Sequence, residues 1–109
     1  MQPGEARTDQ MAAHLVEFVV VDGRPSVRGE LDILGLPELE AWLAGFDGQL
    51  HEIDLSGVTF FDSSALRAFL NVRRRNQHVR IVRPSESVRR VLEMTGTMDY
   101  LVHGRDIIW

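Results

Sequence analysis

The alternation of apolar and polar positions predicts a β-hairpin near the start of the chain. Residues 15–21 (LVEFVVV) are rich in β-branched and aromatic side chains, which favour strands. They are followed by Asp22-Gly23-Arg24-Pro25, a run typical of turns, and by a second strand-like segment at 26–31. We therefore expect two strands joined by a short turn.

Beyond Asp32 the apolar spacing changes from strand to helix periodicity. Leu36, Leu39, Leu43 and Phe46 fall on one helical stripe, so we predict a helix over residues 35–46. The rest of the chain continues to alternate between the two patterns. It is predicted to contain a strand at 51–55, a helix that starts at 62–64 and ends in Arg73-Arg74-Arg75, a strand at 78–82, a helix opened by 84–86, and a last strand around 100–102.

This order of elements, β-β-α-β-α-β-α-β, predicts an α/β fold with a mixed β-sheet and helices packed mainly on one face. The 109 residues suffice for a single core and not for two. Residues 1–12 show no periodicity and are predicted to form a flexible N-terminal leader, so the domain is expected to span residues 13–109. No stretch offers the roughly 20 apolar residues of a spanning helix, and no direct membrane insertion is expected.

Composition and charge narrow the chemistry. The chain has no cysteine, and all 12 basic residues are arginine, which excludes disulfides, thiolate metal sites and lysine Schiff bases. Its four histidines lack the spacing of metal ligands, and neither a metal nor another cofactor is expected. Residues 1–62 carry three arginines against twelve acidic residues, whereas residues 63–109 carry nine against four. This asymmetry indicates either a charged partner or solvated arginine faces.

Asp62-Ser63-Ser64 stands directly before an apolar helical run and admits two interpretations. These residue types are ordinary helix N-caps, and capping alone would explain them. A hydroxyl at a helix N-terminus is also a favourable place for a phosphate, because unpaired N–H groups and the helix dipole attract an anion there. A hydrolytic role for Ser63 is not expected, since the Gly-x-Ser-x-Gly turn and a triad order of histidines are both missing.

Three blocks of sequence, in order, resemble STAS domains and in particular bacterial anti-sigma factor antagonists. They are Gly29-Glu30-Leu31-Asp32, the run from Ile53 to Ser64 (IDLSGVTFFDSS), and Val91-Leu92-Glu93-Met94-Thr95-Gly96. The resemblance covers roughly residues 14–103. It implies a cytoplasmic, non-enzymatic regulator that binds a serine-kinase anti-sigma factor and frees a sigma factor. The same resemblance implies that the kinase phosphorylates Ser63, and that a PP2C-type phosphatase is a further partner.

The residues assigned to partner binding surround this serine. They are Glu30, Asp32, Phe61, Asp62, Ser63, Ser64 and Arg67. Glu30 and Asp32 are equally compatible with a solvated turn, and of the consecutive Phe60 and Phe61 one is expected in the core and the other near Ser63. Asp54 and Ser56 are expected to position the loop to Asp62.

Two other functions remain open at this stage. Some STAS-type domains are accessory subunits of membrane transporters for lipids or anions, where they act by protein contact without phosphorylation. Nucleic-acid binding through the C-terminal arginines is the weakest alternative, because the whole chain is acidic and has no recognised nucleic-acid motif, and no such partner is expected.

Overall fold

The sheet is built from a hairpin followed by two parallel strands. Residues 16–46 and 48–105 are described by the structure, a computed structural model. Strand β1 (Val16–Val21) pairs antiparallel with β2 (Arg24–Leu31), and β3 (Glu52–Phe61) and β4 (Arg80–Val82) extend the sheet in parallel, in the order β1-β2-β3-β4. The helices are α1 (Leu36–Ala44), α2 (Ser63–Arg75), α3 (Glu86–Thr95) and α4 (Met98–Leu101). The predicted α/β class with a mixed sheet is confirmed. The predicted leader at 1–12 lies outside the described residues.

The hairpin turn follows from two residues. Asp22 and Gly23 both have positive φ, 52° and 77°, and they are the only residues between β1 and β2. Two consecutive positive φ angles match the right-handed twist of the flanking strands, which explains the Asp-Gly pair. The predicted hairpin is confirmed, with β2 beginning at Arg24 and pairing with Val21.

The core lies between the sheet and the helices. Val27 and Leu31 of β2 and Ile53 and Leu55 of β3 are almost completely buried, with exposed fractions of 0–1%. Helix α1 contributes Leu36, Leu39 and Leu43 of the predicted stripe, because residues three and four apart share one helix face. Phe46, the fourth predicted member, lies beyond the end of α1 and is half-buried. Since strand side chains alternate between the two faces, residues 26, 28 and 54 belong to the face turned away from the helices.

The predicted last strand at 100–102 is wrong, because this segment is part of α4 and the turn after it. Leu101 N donates to Thr97 O, and Val102 N donates to Met98 O, so the backbone bonds locally rather than to β4. Helix α4 packs on α2 through Arg73, whose guanidinium lies 4.8 Å from the centre of the Tyr100 ring and donates to Gly104 O at 3.3 Å. Of the apolar residues 100–102, only Leu101 is fully buried. A short helical turn that turns one side chain toward the core accounts for this pattern.

Strand β3 is longer than the sequence predicts. It runs through Phe61 rather than stopping at Leu55, and residues 56–61 pair with β2 across two register irregularities. Such irregularities twist a strand locally without ending it. As a result β3 continues to the residue directly before Asp62, and α2 begins at the edge of the sheet. None of the helices in the described part of the chain has the length and apolar character needed to cross a membrane.

Candidate partner-binding and phosphorylation site

The start of α2 is fixed by Asp62. Its backbone is extended (φ −131°, ψ −171°), and its Oδ1 accepts a hydrogen bond from the Ala65 N–H at 3.1 Å. This is the side-chain cap that a short carboxylate provides at a helix N-terminus. The backbone carbonyl of Asp62 accepts from Leu66 N at 2.9 Å, so the helix begins directly after β3 with no intervening loop.

Ser63 is the first residue of this helix and is exposed to solvent. Among residues 16–46 and 48–105 its hydroxyl has no hydrogen-bond partner, and the first turn of α2 contains no acidic side chain. Ser64 is half-buried, and Ala65 is completely buried. Ser63 therefore presents an exposed hydroxyl at the positive end of a 13-residue helix dipole.

The parallel pairing of β2 and β3 brings the other predicted residues to the same edge of the sheet. Glu30 lies opposite Phe60 in register, and Leu31 lies opposite Phe61. Glu30 is exposed, and Asp32 closes the following turn by accepting from Leu34 N at 3.1 Å. Asp32 therefore fits both interpretations. Its side chain stabilises the turn, and it is half-exposed, so a partner can also contact it.

The assignment of Phe61 as a partner contact is corrected by its burial. Phe61 is 6% exposed and packs against Phe69 of α2, with 6.0 Å between ring centres. Phe60 is 46% exposed. Consecutive residues of a strand point to opposite faces, and the helix covers the face that holds Phe61. The aromatic side chain accessible to a partner is Phe60.

A shallow groove between α1 and α2 continues the surface beyond Ser64. It is lined by Ile33, Leu36, Glu40, Ser64, Arg67, Ala68 and Asn71. Arg67, a predicted contact residue, lies here one helical turn after Ser63. Ile33 and its neighbour Leu34 are 66% and 60% exposed, and the sequence reasoning missed both. The available signal was an apolar pair inside the turn Asp32–Gly35, where polar side chains are usual.

Asp54 does not position the loop to Asp62, as the sequence suggested, but holds the segment before α3. Its Oδ1 accepts from Ser56 N at 2.8 Å, and its Oδ2 accepts from Arg83 Nε at 2.9 Å. Burial would raise the pKa of this carboxyl, but hydrogen bonds from Ser56 and Arg83 and the Arg83 charge outweigh it. The pKa of Asp54 therefore lies below its ordinary value.

Residues 14–103 match the family described as "Mlab, STAS domain". The chain belongs to the STAS domain family. The match contains every residue of the site described above, from Glu30 to Arg67. No curated protein matches the chain significantly.

Solved structures match this STAS domain as well. One is the crystal structure of an anti-sigma factor antagonist from Mycobacterium paratuberculosis, which is 25% identical in sequence with a TM-score of 0.70. The alignment covers 83% of this chain and 86% of that chain, so the two share the domain over most of their lengths.

Proposed function

We propose that this STAS domain is an anti-sigma factor antagonist. It binds a serine-kinase anti-sigma factor and thereby frees a sigma factor, and phosphorylation of Ser63 ends that binding. Membership of the STAS family and the likeness to a solved anti-sigma factor antagonist support this proposal. In it, the protein acts by contact and catalyses no reaction, while the kinase and a PP2C-type phosphatase supply the chemistry.

The exposed hydroxyl of Ser63 is the observation that carries the proposal. A phosphate on this oxygen meets the free N–H groups of the first turn of α2 and the positive end of its dipole. The cap from Asp62 to Ala65 N can remain in place, because it uses a different side chain. Phosphorylation at this position is therefore compatible with the folded domain.

The phosphate is expected to act on partner binding at the edge of the sheet that holds Ser63. It adds about −1.5 to −2 charges beside Asp62, at an edge that also holds Glu30 and Asp32. A partner that covers this edge must desolvate the dianion or place it against its own charges, and the free protein meets neither cost. We assign the contact surface to Glu30, Asp32, Asp62, Ser63, Ser64 and Arg67, with Phe60 in place of Phe61.

The test compares the protein before and after incubation with the anti-sigma kinase and ATP. Fragment spectra are expected to place one phosphate on Ser63, and a phosphate on Ser64, Thr59 or Ser85 would contradict the assignment. Binding to the kinase is expected to weaken more than tenfold, about 1.4 kcal/mol. The melting temperature should stay constant or rise slightly, and amide shifts should change only around residues 58–68.

Two variants identify the partner from a cell lysate. Ser63→Ala is expected to retain an anti-sigma factor of the serine-kinase class, and Ser63→Glu is expected to lose it. Ser85→Ala serves as the matched control, since it removes a serine hydroxyl at the start of α3, outside the assigned contact surface, and should retain the same protein. Retention of an unrelated protein by all three variants would contradict the proposal.

A second candidate function is that of an accessory subunit of a membrane transporter. The exposed Ile33 and Leu34 beside the α1–α2 groove favour it, because permanently bound subunits bury more apolar surface than transient ones. In that case Ser63→Glu and Ser63→Ala would retain the same transporter subunit, and Ile33→Ser would release it.

A further inference from the structure

A second polar concavity lies on the sheet face turned away from the helices. Its polar and glycine lining consists of Ser26, Arg28, Asp54, Ser56, Gly57 and Arg83, and we name it the sheet-face cleft. Its position follows from strand alternation, since Val27, Ile53 and Leu55 point into the core on the other face. Gly57 is four residues before Phe61, so about 13 Å of strand separates the cleft from the end of β3, and α2 begins two residues beyond it.

Ser26 contributes a hydroxyl group to the lining of the cleft. The residue is 6% exposed, yet its hydroxyl has no hydrogen-bond partner among the described residues. The accessible part of the residue includes the hydroxyl oxygen, which is open to the cleft rather than sealed in the core. Ser26 lines the cleft, and its hydroxyl is available as a donor there.

Arg83 lines the cleft with a guanidinium group that Asp54 holds in place. Its Nε and Nη2 both contact Asp54 Oδ2, at 2.9 and 2.7 Å. Its backbone has φ +48°, a conformation that residues with a side chain rarely adopt. The other Asp54 oxygen accepts from Ser56 N, so both oxygens of the carboxylate are engaged within the cleft. The second terminal nitrogen of Arg83 has no partner in the described residues.

Arg28 supplies a positive charge beside Glu17, its partner in register on β1. It forms no ion pair in the part of the chain that the structure describes. Its stem lies across Gly57, its partner in register, where an added Cβ would come within 2.8 Å of the Arg28 Cγ. Glycine at position 57 therefore makes room for the arginine. The charged residues that line the cleft are two arginines and one aspartate, so arginine predominates in the lining itself.

We propose that the sheet-face cleft binds a small oxyanion, a phosphate or a carboxylate group. Arginine guanidinium groups and a hydroxyl are the donors that such anions prefer. The volume of about 90 Å³ suits a group of this size. It is far below the roughly 300–1,000 Å³ of pockets for larger ligands, so the cleft itself encloses only a small group. The site is independent of the Ser63 switch.

The test is a titration of the full chain, followed by amide NMR, with inorganic phosphate and separately with acetate. Ionic strength is kept constant with sodium chloride. We expect saturable shifts at residues 26–28, 56–57 and 83 with at least one of the two anions. The stronger of the two identifies the group as a phosphate or a carboxylate.

Variants decide whether the cleft residues are responsible. Arg28→Gln keeps much of the stem over Gly57 and is expected to weaken the binding at least tenfold. Arg89→Gln makes the same change of charge on an exposed arginine of α3 that has no ion pair among the described residues, and should change it less than twofold. Ser26→Ala, which removes only the hydroxyl, should weaken it several-fold.

Three results would overturn the inference. They are the absence of saturable shifts with both anions, equal effects of Arg28→Gln and Arg89→Gln, and shifts centred on residues 63–66. Ser63→Ala should leave the titration unchanged. Failure of the cleft proposal is thus distinguishable from failure of the phosphorylation proposal, which depends on Ser63 alone.

Discussion

Helices α2 and α3 begin with the same cap but differ in what surrounds it. Asp62 Oδ1 accepts from Ala65 N at 3.1 Å, and Ser85 Oγ accepts from Val88 N at 3.3 Å. In both cases the cap residue has an extended backbone and bonds to the N–H three residues later. The local chemistry of the two helix starts is therefore nearly equivalent.

The start of α3 is fastened to the sheet by several further bonds. Ser85 N donates to Leu55 O, and Ser87 Oγ donates to Thr59 O at 3.0 Å. Arg83, two residues before the cap, is bound to Asp54, and Glu86 supplies an acidic side chain in the first turn. The first turn of α2 has no acidic side chain, and its Ser63 hydroxyl has no partner among the described residues.

This difference separates a structural helix start from one suited to modification. A cap stabilises either helix, so the cap alone says nothing about function. What distinguishes α2 is the accessible serine in its first turn, because both helix starts already carry one carboxylate, Asp62 at the cap of α2 and Glu86 in the first turn of α3. An anion added at Ser63 of α2 lies at an exposed position, whereas the Ser87 hydroxyl of α3 is engaged with Thr59 O.

The largest expected effect comes from removing the ion pair between Arg83 and Asp54 at the segment before α3. Arg83→Ala leaves the buried Asp54 carboxylate without its cationic partner and should lower the free energy of unfolding by about 2–3 kcal/mol. Urea unfolding measures this loss. Arg89→Ala, on the exposed side of α3, is the control and should stay within about 0.5 kcal/mol. Equal losses of unfolding free energy in the two variants would mean that the ion pair between Arg83 and Asp54 does not hold the segment before α3.

The caps themselves should have intermediate effects of similar size. Asp62→Ala and Ser85→Ala are each expected to cost about 0.5–2 kcal/mol of stability, while Asp62→Asn keeps an acceptor and should cost little. Partner binding is expected to depend on the cap of α2 and not on the cap of α3. Both Asp62 variants should bind the partner less well, and Ser85→Ala should not. If Asp62→Asn binds like the wild type, the charge of Asp62 plays no part in recognition.

The two serines should differ by a smaller amount. Ser87→Ala removes the hydrogen bond to Thr59 O and is expected to cost about 1 kcal/mol. Ser63→Ala removes a hydroxyl without a described partner and should change stability by less than about 0.5 kcal/mol. Thermal unfolding of the two variants side by side measures the difference. A larger loss for Ser63→Ala would show that this hydroxyl has a structural role.

The smallest expected effect is a pH dependence of the stability that the Asp54 carboxylate contributes through Arg83 and Ser56. Because the folded state holds the pKa of Asp54 below its ordinary value of 3.8, the ionised carboxylate stabilises the fold fully at higher pH. That contribution is lost as the pH falls through the folded pKa. The difference in unfolding free energy between wild type and Asp54→Asn should therefore shrink below about pH 4. A difference that is constant from pH 7 to pH 2 would contradict this account.

Features set by neighbouring residues could be predicted from the sequence. The Asp22-Gly23 turn, the buried stripe of α1 and the Asp62 cap each depend on residues within a few positions of one another. The resemblance in the three sequence blocks also indicated the family correctly, and with it the position of Ser63 at a helix start.

Other features depended on contacts between distant segments. The sequence indicated that one of Phe60 and Phe61 is buried, but only the packing of α2 on the sheet shows that it is Phe61. The three arginines at the end of α2 seemed equivalent as partners of the helix dipole. Arg74 and Arg75 are exposed, whereas Arg73 is 3% exposed beneath Tyr100.

The sequence by itself determined the order of most elements, the turn and cap residues and the candidate serine, because periodicity, positive φ and capping are local properties. Only the tertiary structure decided that residues 98–101 form a helix, that Phe60 is the accessible aromatic residue, and that Asp54 binds Arg83. These outcomes depend on which surfaces meet when strand residues 28 or more positions apart pair side by side. No local pattern contains that information.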